Sequence, residues 1–235
     1  MLTNNFLALV ITFALSLIWL RLNDFAAQQG WVSGHLSRKI IHMGTGPLFV
    51  VCWLLFNQAI LARYLASLVP FAITAQFALV GLGIIKDEAA VQAMSRSGDR
   101  REILKGPLFY GIVFVIITIL YWKDNPIGIV ALMLLCGGDG LAEIIGRRYG
   151  KVHLPWNKNK SWVGSFGMFL GGWLFAIGIL EIYILAGIFS PSIGSYLPAV
   201  TWIVLGATLV ETLPLSDIDN ITITISALAL GHFLL

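Results

Sequence analysis

Two carboxylates, Asp139 and Glu143, stand four residues apart where an apolar run ends, in the stretch Cys136-Gly137-Gly138-Asp139-Gly140-Leu141-Ala142-Glu143. In a helix that spacing puts both on one face. A charge at the centre of a membrane span costs about 2.5–3.5 kcal/mol on insertion scales, so a pair near its polar end implies something that offsets the cost. Further acids follow in the same relation to apolar runs: Glu211 ends one, and Asp217 and Asp219 precede the last. Hard cations such as Mg2+ take oxygen ligands, commonly one or two carboxylates completed by substrate phosphates. Asp139, Glu143, Glu211, Asp217 and Asp219 are therefore candidate Mg2+ ligands. Two plainer readings compete, since Asp-Ile-Asp-Asn before an apolar run is also good N-cap chemistry, and Glu143 has Arg147 as its i+4 neighbour.

A glycine- and cation-rich stretch follows Asp139: Gly146-Arg147-Arg148-Tyr149-Gly150-Lys151, then Asn157-Lys158-Asn159-Lys160-Ser161-Trp162-Val163-Gly164-Ser165. Cations, small residues and hydroxyls leading into a helix start suit a polyphosphate, whose charge backbone N–H groups and lysines can share. No Gly-x-x-x-x-Gly-Lys-Ser/Thr order occurs, which excludes a P-loop at motif level. Arg147, Arg148 and Lys151 can equally be charges that set topology. Earlier in the chain, Arg38 and His42 lie at i, i+4 spacing as another apolar run begins, so one helix face presents a guanidinium and an imidazole. His35, His153 and His232 show no partner pattern.

The elements that must position these residues are membrane spans. Of 235 residues 58% are hydrophobic and 11% charged, and a mean hydropathy of +0.86 lies outside the range of ordinary soluble domains. Apolar runs near spanning length lie at about 4–20, 40–56, 60–85, 107–122, 126–145, 162–186, 197–213 and 220–235. An all-α polytopic transmembrane bundle of about eight spans is expected, as one helical domain over 1–235, with no repeat or linker. With each run crossing once, the connections near 21–39, 86–106, 146–161 and 214–219 share a side and hold 13 of the 15 basic residues, only Arg63 and Lys123 lying opposite. The positive-inside rule assigns the crowded side to the cytoplasm and both termini to the other side. The net charge of +3 is thereby used in topology and calls for no nucleic-acid partner.

Trp19, Trp31, Trp122, Trp156, Trp162 and Trp202 fall near span ends, as an interfacial belt would. Cys52 and Cys136 lie in apolar runs and argue for neither a disulfide framework nor a zinc site. Met1–Asn5 carries no Lys or Arg and no small-residue cleavage site follows, so the first run reads as a retained span. No Arg-rich transit segment precedes it, and a bacterial-type inner membrane, plasma or thylakoid, is the expected location.

Together these segments resemble the phytol kinase family of the polyprenol (dolichol) kinase superfamily. The resemblance is carried by Arg38-Lys39...His42-Met43-Gly44-Thr45-Gly46-Pro47, by Ser95-Arg96-Ser97-Gly98-Asp99-Arg100-Arg101-Glu102...Lys105-Gly106-Pro107, by Gly138-Asp139-Gly140 with Gly146 and Gly150, by Asn157-Lys158-Asn159-Lys160-Ser161 with Gly164-Ser165, and by Glu211 followed by Asp217, Asp219 and Asn220. It covers roughly residues 36–235. It implies transfer of the terminal phosphoryl group of CTP, or of UTP, to phytol or a similar isoprenoid alcohol, with the Asp139 glycine segment and the lysine stretch as the nucleotide site. The Asn-Lys-Asn-Lys-Ser form departs from the Lys-Lys-Thr form of dolichol kinases, which favours a phytol-type acceptor.

On that basis Arg38, Lys39, Lys105, Gly138, Gly140, Gly146, Gly150, Asn157, Lys158, Asn159, Lys160, Ser161, Gly164 and Ser165 are expected around the nucleotide. Phosphoryl transfer needs acids for metal, cations for phosphate and a base for the acceptor hydroxyl. Asp139, with Glu211, Asp217 or Asp219, is expected to hold Mg2+ while Lys158 and Lys160 clamp the phosphates. The base is a remaining carboxylate such as Asp217, or His42. The alcohol is expected to enter from the lipid, with its hydroxyl reaching the cytoplasmic edge. Two rivals use the same features otherwise: a lipid cytidylyltransferase that releases pyrophosphate, and an ion-coupled transporter whose acids carry ions.

Overall fold

A computed structural model describes residues 2, 4–95, 97–214 and 218–235, with the side chains of 34 and 35 outside the description. Asp217, one of the expected site residues, therefore lies outside the described residues, as does Arg96. The chain divides into two compact units, Met1–Leu120 and Tyr121–Leu235.

The first unit holds α1 (Asn5–Gln28), α2 (Gly34–Cys52), α3 (Ala62–Leu82), α4 (Glu88–Met94) and α5 (Gly106–Leu120), with short 3-10 turns at Trp53–Leu55 and Arg100–Leu104. Asn4 caps α1, its side chain accepting from the Phe6 amide at 2.8 Å. Asn5 and Asn57 then tie α1 to the chain beyond α2 through reciprocal bonds of 2.8 and 2.9 Å. α3 packs on α5 where Gly111 faces Thr74, so closely that a Cβ on Gly111 would sit 2.0 Å from the threonine hydroxyl. α3 ends at Gly83, whose φ of +79° closes the helix in the left-handed conformation that glycine adopts without strain. The Arg100 guanidinium lies against Gly83, filling the place that a side chain there would need.

The second unit holds α6 (Pro126–Met133), α7 (Asp139–Tyr149), strands β1 (His153–Leu154) and β2 (Asn157–Ser161), α8 (Trp162–Leu185), α9 (Ile193–Glu211) and α10 (Asp219–Leu234). α6 and α7 form one continuous rod through a π-helical turn at Leu134–Gly138. Every residue from Ile127 to Gly138 is buried, as expected of a segment that is apolar all round. α8 packs against this rod along glycines. A Cβ on Gly171 would lie 2.2 Å from the Gly137 carbonyl oxygen, and one on Gly164 would lie 3.4 Å from the Gly146 Cα. With no driving force between apolar helices in lipid, such close backbone approach supplies the packing.

Among the described residues, six helical segments are long and apolar enough to cross a membrane: Asn5–Gln28, Ala62–Leu82, Arg100–Leu120, Pro126–Tyr149, Trp162–Leu185 and Ile193–Glu211. The chain is a helical integral membrane protein. The other two expected runs also form helices, but α2 carries Arg38, Lys39 and His42 and α10 has only 16 residues. Three local expectations change. The stretch 146–161 is not simply a loop: α7 continues to Tyr149, and Asn157–Ser161 pairs as a strand. Trp122 is buried and Trp19 lies against Gly44, so these two pack inside the protein, whereas Trp31, Trp156, Trp162 and Trp202 are exposed. His232 does have a partner, sharing a 2.8 Å hydrogen bond with the Tyr121 hydroxyl.

Candidate functional site

The site in the second unit is built on β2, which is anchored at both ends. At its start Asn157 is buried, and its Nδ2 donates to the carbonyls of Thr212 at 3.1 Å and Leu213 at 3.2 Å. These carbonyls follow the last residue of α9, where helix geometry leaves acceptors unsatisfied. The neighbouring Trp156 adds a 3.2 Å bond from its indole N–H to the Thr212 hydroxyl. At the other end Ser161 caps α8, its Oγ accepting from the Gly164 amide at 3.1 Å.

Between these anchors Lys160 reaches the acids. Its ammonium is hydrogen-bonded and ion-paired to Glu211 and lies 3.4 Å from the Asp219 carboxylate. Glu211 is the last residue of α9 and is 4% exposed. Asp219 is the first residue of α10, where the helix dipole favours an anion. Asp139 opens α7 directly after the π turn, and its charge acts on both Lys160 and Glu211. Burial alone pulls the Lys160 pKa down. The carboxylates of Glu211, Asp219 and Asp139 outweigh that and hold it above the usual lysine value, so the side chain is a cation throughout the physiological range.

Glu211 is satisfied on one side only. Its Oε1 takes the lysine, while its buried Oε2 has no hydrogen-bond partner among the described residues. An orphaned carboxylate oxygen in a buried position is costly unless something meets it, and a divalent cation is one such partner. The described residues contain no group of three or more His, Cys, Asp or Glu arranged to hold a metal alone. A divalent cation meeting Glu211 here would need its remaining ligands from outside these acids, such as phosphate and water.

The structure sorts the other expected residues. Glu143 pairs with Arg147 at 3.8 Å, the contact its spacing predicts. Lys158 and Asn159 are exposed on β2. Ser165 is partly buried, and its hydroxyl has no hydrogen-bond partner among the described residues. Gly138, Gly146, Gly150 and Gly164 lie where a Cβ would press on a neighbour within 3.3 Å; Gly140 is buried in the first turn of α7. Arg38, Lys39, His42 and Lys105 belong to the first unit. There the His42 carbonyl accepts from the Tyr110 hydroxyl at 2.8 Å, the two rings lie 4.3 Å apart, Lys39 is buried, and the Lys105 carbonyl accepts from the Phe109 amide.

Two features of the site escape sequence reasoning. The π turn before Asp139 has no signature beyond Gly137-Gly138, although such turns often mark functional positions. Asn157 is expected beside the nucleotide from the resemblance, and its anchoring of β2 appears only once the end of α9 is beside it. Ser161 was open to recognition, since a serine directly before an apolar run is an N-cap signal.

The chain is 40% identical over 228 residues to a probable chloroplastic phytol kinase of Triticum aestivum, covering 96% of this chain and 75% of the relative. It is 43% identical over 210 residues to a chloroplastic farnesol kinase of Arabidopsis thaliana, covering 88% and 68%. With phytol kinase 1, chloroplastic, of the same plant it shares 36% over 199 residues, covering 84% and 66%. No family model matches the chain, and no solved structure matches it significantly.

Proposed function

Since the chain belongs to the phytol kinase family, we propose that it is an isoprenoid-alcohol kinase, moving the terminal phosphoryl group of CTP to phytol or a similar prenyl alcohol. The observation that carries this reading is the lysine-acid cluster of the second unit: Lys160 between Glu211 and Asp219, with Asp139 in electrostatic reach. A transferring phosphoryl group spreads charge over its oxygens, so catalysis needs fixed cations, metal-holding acids and little covalent chemistry. In this reading Asp139, Glu211 and Asp219 are the acids that would hold Mg2+, which when bound neutralises phosphate charge. Lys158 and Lys160 hold the phosphate oxygens. A carboxylate not engaged with metal takes the proton from the acceptor hydroxyl as its oxygen attacks phosphorus and the nucleoside diphosphate leaves.

The relatives named for phytol and for farnesol both support a prenyl alcohol as acceptor. CTP and the phytol-type chain rest on the motif resemblance. With all eight apolar runs crossing, the crowding of basic residues in four connections favours a cytoplasmic position for the site. An acceptor at this edge can arrive from the lipid while the nucleotide arrives from water, which accounts for a small kinase that is nearly all membrane helix.

The test is product analysis with the detergent-purified full chain. Phytol, geranylgeraniol, farnesol and a long polyprenol are each supplied with each of the four labelled nucleoside triphosphates. CDP with a prenyl monophosphate is the expected outcome. Release of pyrophosphate would replace the kinase by a cytidylyltransferase, and absence of turnover with every pair would overturn the reading.

A further inference from the structure

We infer that Lys160 is a placeholder for the divalent cation: its ammonium occupies the acids until metal arrives, and metal binding expels it towards the phosphate side. The inference deepens the proposed kinase reading. Three observations carry it. The ammonium is in direct contact with Glu211 and within 3.4 Å of Asp219, the carboxylates best placed to take a cation. Two carboxylates against one ammonium leave this trio one negative charge in excess before Asp139 is counted. Finally, the buried Oε2 of Glu211 has no hydrogen-bond partner among the described residues, so the ammonium satisfies only part of what the carboxylate offers.

A dication answers both deficits at once, and it competes for the same oxygens that the ammonium holds. Ammonium and metal cannot share Glu211 without placing like charges side by side. The backbone of β2 is fixed by Asn157 and Ser161 at its ends, whereas the lysine has a flexible four-carbon stem. Expulsion is therefore a side-chain movement. In a strand, residues 158 and 160 point to the same side, so the released ammonium joins Lys158, which is exposed already. One exchange then creates the metal site and frees a second phosphate-holding cation, so that neither is ready before the metal is present.

The exchange is tested without nucleotide or alcohol, on the detergent-purified full chain, with Mn2+ as the probe. Free Mn2+ is read by electron paramagnetic resonance. Lys160→Met is expected to bind about tenfold more tightly than the native chain, as the loss of one competing close ion pair implies, while Lys160→Arg keeps the native affinity and Glu211→Gln loses binding. Equal or weaker binding by Lys160→Met overturns the inference. A second readout uses the native chain alone, so it holds even if a variant fails to fold: acylation of Lys160 by a water-soluble amine reagent, mapped by mass spectrometry, is expected to rise severalfold when Mn2+ is added. Labelling that stays constant or falls overturns the exchange. Neither readout involves turnover, so a chain that exchanges lysine for metal but phosphorylates no alcohol would sink the kinase reading alone, and an active kinase with unchanged labelling would sink this inference alone.

Discussion

Lys160 and Glu211, 51 positions apart in the chain, meet as an ion pair in which the carboxylate is buried and the ammonium only partly so. Pairs of this kind are weak evidence for stability, because desolvation opposes the attraction, yet breaking one from a single side is costly. Lys160→Met strands the Glu211 charge and is expected to destabilise the second unit by about 3–5 kcal/mol. Adding Glu211→Leu removes the stranded charge, and the double variant is expected to regain most of the loss. Thermal unfolding of the four members of this cycle in detergent measures the coupling. Additive effects would mean that the two side chains do not act on each other in the folded protein.

Asp139 opens α7 one residue beyond a π turn in the most buried rod of the second unit. Asp139→Asn keeps the shape and removes the charge. It is expected to lower phosphorylation of the preferred alcohol by at least about 100-fold, the scale on which a preorganised electrostatic group acts, while membrane insertion and unfolding temperature stay near native. Retained turnover would take Asp139 out of the reaction.

That prediction rests on what the chain reveals without its structure. Asp139, Glu211 and Asp219 each sit beside an apolar run, and a charge in that position is visible because hydrophobic periodicity is the strongest local signal a sequence carries. The helices that bring them together are legible for the same reason. Lys160 is different. In Asn-Lys-Asn-Lys-Ser both lysines look alike, and only the pairing of β2 and the arrival of Glu211 and Asp219 separate a lysine held by acids from an exposed Lys158. The π turn is equally hidden, since nothing in Leu134–Gly138 beyond its two glycines marks it. The tryptophan belt failed at Trp19 and Trp122 because proximity to a span end does not say whether a ring faces lipid or a neighbouring helix.

The glycine contact between the π turn before α7 and helix α8 makes a stability prediction that is independent of chemistry. At Gly171 an added methyl would lie 2.2 Å from the backbone oxygen of Gly137, which cannot move without the rod it belongs to. Gly171→Ala is expected to cost about 1–3 kcal/mol as an overpacked contact. Gly178, in the same helix, has no heavy atom within 4 Å of the equivalent position, and Gly178→Ala is expected to be neutral or slightly stabilising. Unfolding of the two variants side by side is the check. Equal effects would contradict the close approach of α8 to Gly137.

Asn157 joins β2 to the end of α9, and its loss reaches the site indirectly. Asn157→Ala removes both bonds to the Thr212 and Leu213 carbonyls, leaving the buried Thr212 acceptor unmet at an expected cost of about 1–3 kcal/mol. Because Lys160 follows three residues later and Glu211 precedes Thr212, the same change loosens the lysine against its carboxylates. Turnover is expected to fall while the KM for the alcohol is unchanged, since the change acts through the position of Lys160 and not on the alcohol. A variant that loses stability with kcat intact would confine Asn157 to the fold.

The ion pair also predicts how stability responds to alkali. The acids hold the Lys160 pKa above its ordinary value of 10.5, so the folded protein binds this proton more tightly than the unfolded chain does. Its contribution is then fully present below the unfolded value and is lost as the pH climbs from 10.5 through the folded one. Other lysines and tyrosines titrate in the same range, so the difference between the native chain and Lys160→Met/Glu211→Leu is the quantity to follow. That difference in unfolding temperature is expected to be constant from pH 8 to about 10 and to shrink above 10.5 as the ammonium is lost. A difference that grows with alkali would require the folded lysine to bind its proton more weakly than the unfolded one, which the attraction of three neighbouring carboxylates opposes.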